Sequence, residues 1–343
     1  MRLIALGLLL AAGTALGCAA PAERAAPGPA AGATAGASEP ELLPIRVGYA
    51  APSASFAMVW IAQDAGLYTK YGLRAEVVNL GPNGAAPLIG GDVDVVQVAG
   101  PSVFAANLEG GDTIWILVPL SRPVLYLLAR PEITRGEELR DRAVGVSARG
   151  TFTDQFMRLA LRRFGLEADR DVTVLATGGP PESVAAASTG RVAAIIAGPP
   201  SNLRAQEAGL HTLLDLSTLD VAYPSAGVAT TRRVLRERPE MLRRFARAYV
   251  EATYVFRNNP AFSQEVIGRY TATTNPTDLA ESYRAFRDLT DQVPLPRVEA
   301  MQTALDLMSA DLPRARQADP HDFYDDRLVR ELESSGFFDT LGR

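Results

Sequence analysis

The chain has 343 residues, of which 47% are hydrophobic and 21% charged, and its formal net charge is -5 at neutral pH. This length predicts about two domains with sizeable cores, and the acidic balance argues against a nucleic-acid partner. Two histidines and one cysteine nearly exclude a metal site built on clusters of these residues, and one cysteine excludes a disulfide within the chain. We expect no cofactor and no bound metal.

Residues 1–18 have the pattern of an export signal. Arg2 supplies a short positive region, and the apolar run after it is too short to span a bilayer as a mature helix. The sequence ALGC, which ends at Cys18, is similar to a lipoprotein cleavage box in which the cysteine becomes lipidated, with the leucine and the small residue in exchanged order. The alternative is an ordinary secretory signal cut near Ala19. Residues 19–43 are rich in Ala, Gly and Pro and are predicted to form a disordered tether.

Residues 45–78 have the pattern strand, loop, helix, turn, strand. Apolar and other residues alternate from Ile45 to Tyr49, and a loop of small residues then leads to a helix that ends near Gly66. This is a βαβ unit, which predicts a parallel sheet with the loop at the carboxyl ends of its strands. Open α/β sheets bind their ligands at that edge.

The same alternation of strands and helices continues along the chain. Further strands are predicted at residues 93–98, 114–120, 143–147, 172–176 and 192–197. The chain is predicted to cross to a second lobe after Ala129 and to return through residues 219–229. From Thr230 onward the pattern is helical.

Hydroxyl, glycine and aromatic residues recur in the loops that follow the predicted strands. Each could be merely a helix cap or turn residue, but together they converge on one edge of two sheets. The candidate ligand-binding residues are Ser53, Ser55, Phe56, Asn83, Ser102, Ser121, Gly150, Thr151, Thr153, Ser201 and Tyr223. Arg122 and Arg149 are possible charges at this edge, and Phe152 is a further stacking surface.

No catalytic motif accompanies these loops. The sequence contains no G-x-S-x-G nucleophile elbow, and its glycine-rich loops do not match a nucleotide-binding P-loop. We therefore expect a binding protein and no enzyme. An exported enzyme or a ligand-sensing receptor domain on the same fold is the alternative, because fold alone does not decide function.

Four runs of sequence carry a family resemblance. The first is GYAAPSASFAMVWIAQDAGLYTKYGLRAEVV, followed in order by LIGGDVDVVQVAGPSVFAANLEGGD, LRDRAVGVSARGTFTDQFMRLALRRFGL and STGRVAAIIAGPP. Together they resemble the solute-binding proteins of ABC importers in the nitrate/sulfonate/taurine class, which also includes binders of the thiamine pyrimidine precursor. The resemblance covers residues 45–255.

This resemblance implies an α/β fold of two doubly wound lobes, joined by a two-crossing hinge and carrying a helical C-terminal part packed on the first lobe. Lobe 1 would comprise residues 44–129 and 222–343, and lobe 2 residues 130–221. The ligand would be a small organic solute held between the lobes, either a sulfonate-like anion or a heteroaromatic such as a pyrimidine. The expected partners are ABC permease and ATPase subunits and a membrane reached through a lipid anchor, with the exported protein itself a monomer.

Overall fold

The computed structural model describes residues 41–81, 84–309 and 312–342, and these residues form ten strands and fourteen α-helices. The predicted export signal, Cys18 and most of the tether lie outside the described residues. The strands are β1 Leu43–Tyr49, β2 Leu73–Asn79, β3 Val95–Val98, β4 Thr113–Leu120, β5 Tyr126–Ala129, β6 Ala143–Val146, β7 Thr173–Ala176, β8 Ala194–Ala197, β9 His211–Asp215 and β10 Ala226–Thr231.

The helices separate and follow these strands, and the 3₁₀ turn Ala54–Phe56 leads into the first of them. They are α1 Ala57–Asp64, α2 Leu67–Lys70, α3 Ala85–Gly90, α4 Gly100–Leu108, α5 Phe152–Arg163, α6 Pro180–Ser188, α7 Ser201–Glu207, α8 Arg232–Glu237, α9 Pro239–Asn258, α10 Pro260–Thr271, α11 Pro276–Arg287, α12 Val298–Met308, α13 Arg327–Ser334 and α14 Phe337–Thr340. Among the described residues, no helix has both the length and the apolar character needed to cross a membrane.

The first sheet has the strand order β2-β1-β3-β10-β4. β1 lies parallel to β2 and β3, as the βαβ pattern predicts, whereas β10 runs antiparallel to both of its neighbours. The sheet is therefore mixed, because β10 is the strand on which the chain returns from the second lobe. β1 begins at Leu43, so that residue belongs to the sheet and not to the predicted tether.

The second sheet has the order β7-β6-β8-β5-β9, and β5 runs antiparallel to β8 and β9. Residues 126–129 were predicted to belong to lobe 1, but they form β5, an interior strand of this second sheet between β8 and β9. A buried apolar run of four residues looks the same in either sheet, so the sequence could not place it. The structure puts the first crossing before Tyr126. β9 was not predicted, since its sequence HTLLD lacks a clear alternation.

The two crossings run side by side as a hydrogen-bonded ribbon. The Ser225 amide donates to the Leu120 carbonyl at 2.9 Å and the Tyr223 amide donates to the Ser121 carbonyl at 2.9 Å. At the other end of the ribbon, the Leu216 amide donates to the Leu125 carbonyl at 2.9 Å. The connection between the lobes is therefore ordered backbone.

The C-terminal helices pack mainly on the first lobe. α9 and α10 both contact α1, and the Tyr270 ring of α10 stacks on the Trp60 indole of α1 with centroids 4.7 Å apart. Trp60 is fully buried, so this contact fixes α10 to the core of lobe 1. α12 touches both α4 of the first lobe and α5 of the second. The predicted fold class, two α/β lobes with a helical C-terminal part, is confirmed.

Candidate functional site

A cavity of about 470 Å³ lies between the two sheets, at the edge where their parallel strands end. Its walls come from the loops that follow the strands: residues 50–56 after β1 and 98–105 at the end of β3 in lobe 1, and residues 147–153 after β6, 178–183 after β7 and 196–201 at the end of β8 in lobe 2. The carboxyl ends of parallel strands meet at one edge of a sheet, which is why separate loops converge here. Cavities of this volume suit small organic molecules.

The structure brings most of the predicted site residues together. Those that line the cavity are Ser53, Ser55, Phe56, Ser102, Gly150, Thr151, Thr153 and Ser201. Asn83 lies outside the described residues. Of the additional candidates, Arg149 and Phe152 line the cavity, whereas Arg122 pairs with Asp220 at 3.6 Å and is not part of its wall.

Two predicted residues, Ser121 and Tyr223, do not line the cavity. Tyr223 is completely buried, and its hydroxyl donates to the Gln155 side-chain oxygen at 2.5 Å. Its ring packs on Phe152 with centroids 5.4 Å apart, so it supports a residue of the wall and cannot itself stack on a ligand. Ser121 lies beside it in the crossing ribbon and is 8% exposed. The sequence placed both in a loop but gave no indication of which side of that loop faces inward.

The lobe 1 wall carries serine hydroxyls that make few hydrogen bonds to the described residues. The Ser53 hydroxyl lies 3.0 Å from that of Ser55 and accepts the Ser55 amide at 3.4 Å. Ser102 was predicted to cap a helix, but α4 begins two residues earlier, at Gly100, so the Ser102 side chain sits in the first turn. Its buried Oγ has no hydrogen-bond partner in the described part of the chain. Because Ser102 lines the cavity, a ligand is a candidate partner for this hydroxyl.

The lobe 2 wall presents three hydroxyls bonded to one another. Ser147 Oγ lies 3.0 Å from Thr151 Oγ1 and 2.8 Å from Thr153 Oγ1, and the Thr153 hydroxyl also accepts the Ser147 amide at 2.9 Å. Thr151 donates to the Ala148 carbonyl at 2.6 Å. This network fixes the loop between β6 and α5 in the conformation that places these hydroxyls on the wall.

Arg149 is the one charged residue among the described residues that line the cavity, and its charge is already paired. Its guanidinium donates two hydrogen bonds to the Asp169 carboxylate, at 2.9 and 2.7 Å, and a third to the Val174 carbonyl at 2.9 Å. Arg158 donates to the same carboxylate at 2.9 Å. The hydrogen bonds from Arg149, followed by that from Arg158, lower the pKa of Asp169 to about 2.

Several wall residues were missed by the sequence analysis. Ser147, Ser183 and Ser225 add hydroxyls, Asn79 adds an amide, and Phe286 adds an aromatic ring. Ser147 and Asn79 end or directly follow strands, so the strand-end argument could have found them. Phe286 lies on α11, more than 200 residues from the opening loop, and no local pattern indicates that this helix reaches the cavity.

The arrangement can hold hydrogen-bond acceptors. Helices α4, α5 and α6 begin at the cavity wall, and the first turn of a helix carries a partial positive charge and unpaired N–H groups, although Pro101 in α4 and Pro180 and Pro181 in α6 have no N–H to supply. At α5 part of this charge is balanced, since Asp154 accepts the Gly150 amide at 2.8 Å. The described residues contain no cluster of three or more His, Cys, Asp or Glu side chains placed to bind a metal.

Comparison with known proteins identifies the family and the fold. The model of the NMT1-like family matches residues 38–270. A protein of Brucella abortus (strain 2308) that is named as a binding protein is 28% identical over 236 residues, which are 66% of this chain and 72% of that protein.

Solved structures share the two-lobed architecture. The periplasmic aliphatic sulphonate-binding protein SsuA of Escherichia coli aligns with a TM-score of 0.65 and 18% identity, over 83% of this chain and 92% of that one. The periplasmic nitrate-binding protein NrtA of Synechocystis PCC 6803 aligns with a TM-score of 0.69 and 13% identity, over 86% and 89% of the two chains. These likenesses show the periplasmic-binding-protein fold. Because the family model covers more than half of the sequence, the chain belongs to the NMT1-like family, as its four sequence runs predicted.

Proposed function

We propose that this protein is an exported solute-binding protein that captures a small organic solute between its lobes and delivers it to an ABC importer. One observation carries the proposal: hydroxyl residues from both lobes line one cavity of about 470 Å³. A solute bound there contacts both lobes and so favours their closure, which is how a hinge protein signals its bound state. The names of the similar proteins, binders of sulfonates and nitrate, support the same class of function.

The wall chemistry favours a solute with an apolar body. Three phenylalanines reach the cavity, Phe56 and Phe286 from lobe 1 and Phe152 from lobe 2, alongside several small apolar side chains. An aromatic or aliphatic body would bury apolar area against them. A sulfonate with an organic tail and a heteroaromatic such as a pyrimidine both meet this requirement, whereas nitrate has no apolar body.

We further propose that neutral donors hold the polar end of the solute. Arg149 is paired with Asp169, so a ligand that took its charge would have to compete with a bidentate ion pair. The hydroxyl of Ser102, together with the helix N–H groups, can donate to a sulfonate oxygen or to a ring nitrogen without such competition, whereas the Thr151 hydroxyl would first have to release the Ala148 carbonyl.

Calorimetry with a defined panel tests the proposal. Nitrate, hexanesulfonate, MOPS, biphenyl-2-sulfinate and 4-aminopyrimidine are titrated into the full chain and into its Phe56→Ala, Thr151→Ala and Arg122→Ala variants. We expect one of the organic probes to bind, Thr151→Ala to cost about 1 kcal/mol of affinity, Phe56→Ala to cost more, and Arg122→Ala to cost nothing. Binding lost in Arg122→Ala but kept in the other two variants would contradict this site.

The proposal includes a membrane anchor and transporter partners. Lipidation of Cys18 would keep the protein at the membrane, next to the permease and ATPase subunits, and the Ala- and Gly-rich residues after it would supply reach. The ALGC sequence is what supports this part of the proposal.

A further inference from the structure

One arginine bridges the two lobes away from the crossing ribbon. Arg204 lies on α7, in lobe 2. Its Nη2 donates to the carbonyl oxygens of Thr271 and Ala272, at 3.1 and 3.2 Å, and to the Thr273 hydroxyl at 2.8 Å. These three acceptors lie at the C-terminal end of α10, which is packed on lobe 1. We call this set of four residues the Arg204 latch.

Both ends of the latch are firmly held in their own lobes. α7 packs on α6, β5 and β9 of lobe 2. α10 is held to α1 of lobe 1, where Arg269 and Tyr270 both donate to the Asp64 carboxylate, at 2.6 and 2.9 Å. Since neither helix can move freely within its lobe, separating the lobes at this edge must break the bonds of Arg204.

The chemistry of the latch suits a contact that can open and close. The carbonyls at the end of a helix lack intrahelical partners and carry a partial negative charge, so a guanidinium placed there is favoured. Hydrogen bonds with one charged partner are stronger than neutral ones. When the lobes separate, both the guanidinium and the carbonyls can be hydrated, because Arg204 is only partly buried, and the cost of opening stays moderate.

The latch is directly connected to the cavity. Ser201, one turn before Arg204 on α7, lines the cavity wall. On the other side, α10 packs on α11, whose Phe286 is also part of the wall. A solute that draws these two walls together therefore also brings Arg204 within hydrogen-bond distance of its acceptors at the end of α10.

From this geometry we propose that Arg204 is a positioning residue that holds the lobes closed and sets how long a solute stays bound. The role in solute retention rests on the proposed function, whereas the effect on lobe closure does not. Arg204 is not among the described residues that line the cavity, so it acts through the distance between the two walls.

The test measures the distance between the lobes without any solute. Spin labels are placed at Thr69→Cys on α2 of lobe 1 and at Ser188→Cys on α6 of lobe 2, both exposed, in the full chain with Cys18→Ser. Pulsed electron paramagnetic resonance then gives the distance distribution for the otherwise unchanged chain and for Arg204→Gln, Arg204→Lys and Thr273→Val. Arg284→Gln is the matched control, because the Arg284 side chain is exposed and, within the described ranges, its hydrogen bond goes to the Ala280 carbonyl of its own helix.

We expect Arg204→Gln to raise the ratio of open to closed molecules about tenfold, the scale of losing a charge-assisted hydrogen bond. Arg204→Lys should keep part of the closed population, and Thr273→Val should shift it less but in the same direction. Thr273→Val also keeps the test decisive if Arg204→Gln does not fold. An unchanged distribution in both variants, or an equal shift in Arg284→Gln, would overturn the latch. The distance measurement contains no solute, so a negative result there would overturn the latch but not the proposed function. Conversely, if no compound of the calorimetric panel bound, the proposed function would lose support but the latch would not.

Discussion

Ser102 offers the sharpest test of ligand recognition at the scale of one residue. Its buried hydroxyl has no partner among the described residues, so removing it breaks no hydrogen bond to any of them. We predict that Ser102→Ala keeps or slightly raises the free energy of unfolding and weakens binding of the calorimetric probe by about 1 kcal/mol.

The control for Ser102 is another serine of the same kind. Ser282 also has a buried hydroxyl without a partner in the described part of the chain, but it does not line the cavity. Ser282→Ala should therefore leave the affinity unchanged. Equal affinity losses in the two variants, measured by calorimetry, would show that the hydroxyl of Ser102 does not meet the solute.

Asp169 makes the stability of the site loop depend on acid pH. Its pKa, about 2, lies below the usual 3.8, because Arg149 and Arg158 donate to the charged carboxylate. The stability that this carboxylate contributes is fully present above pH 3.8 and is lost as the pH falls towards 2. Asp169→Asn should lower the free energy of unfolding at pH 6 and should flatten its decline between pH 4 and 2.

Urea unfolding at a series of pH values measures this dependence. Asp288→Asn is a suitable control, since Asp288 is an exposed carboxylate paired with its neighbour Arg287 at 2.8 Å. If Asp169→Asn and the unchanged protein lost stability with the same slope below pH 4, the ion pairs of Asp169 would not stabilise the fold.

At the scale of an element, β10 requires a glycine. A Cβ atom on Gly227 would lie 2.7 Å from the Leu117 carbonyl oxygen and 2.9 Å from the Trp115 ring, both on the neighbouring strand β4. We predict that Gly227→Ala destabilises the protein by about 1–3 kcal/mol, because the buried strand cannot shift without disturbing its ladder. Gly90→Ala is the control, as the nearest described atom to its Cβ would be an Asp92 carboxylate oxygen at 3.7 Å, an ordinary contact. Thermal or urea unfolding of both variants decides the point, and equal stabilities would contradict it.

The elements also show what the sequence could and could not predict. The βαβ units were predictable because strand alternation, glycine helix ends and loop composition are local signals. The sheet to which β5 belongs could not be predicted in this way. Tyr126–Ala129 is apolar throughout, and its partner strands β8 and β9 lie more than 60 residues away in the sequence.

The site was predictable to the same extent as its elements. Residues in strand-end loops, such as Thr151 and Ser201, were placed at the cavity by the fold rule alone. The same reasoning wrongly placed Tyr223 at the cavity and did not indicate Phe286, because burial and long-range helix packing decide their positions. The direction of the Tyr223 side chain is set by its hydrogen bond to Gln155 of lobe 2. The position of Phe286 is set by where α11 packs on the rest of the protein.

At the scale of the whole molecule, the proposed function predicts closure around the solute. Small-angle scattering of the full chain should give a smaller radius of gyration when the binding probe of the panel is at saturation, because a solute that contacts both lobes favours their approach. A radius that stays the same at saturation would contradict a hinge mechanism. A panel compound that does not bind in the calorimeter serves as the control.

The proposed anchor predicts where the protein is found in the cell. Cys18→Ser should move the protein from the membrane fraction to the soluble fraction, because the acyl chains supply the membrane affinity. Fractionation followed by immunoblotting measures this, with a substitution in the tether, Ser38→Ala, as the control. Membrane association and processing that are the same in Cys18→Ser as in the unchanged chain would contradict lipidation.

The ribbon of two crossings has a mechanical consequence. β4 and β10 are neighbours in the first sheet, β5 and β9 are neighbours in the second, and the segments that join them are bonded to each other. A paired ribbon bends easily across its flat face but resists shear and sideways bending, because those motions would break its hydrogen bonds. Such a joint is flexible in one direction and stiff in the others. The two halves of the cavity wall would then meet in the same alignment at each closure. A solute of the wrong length would bind poorly, because the lobes could not slide past each other to accommodate it.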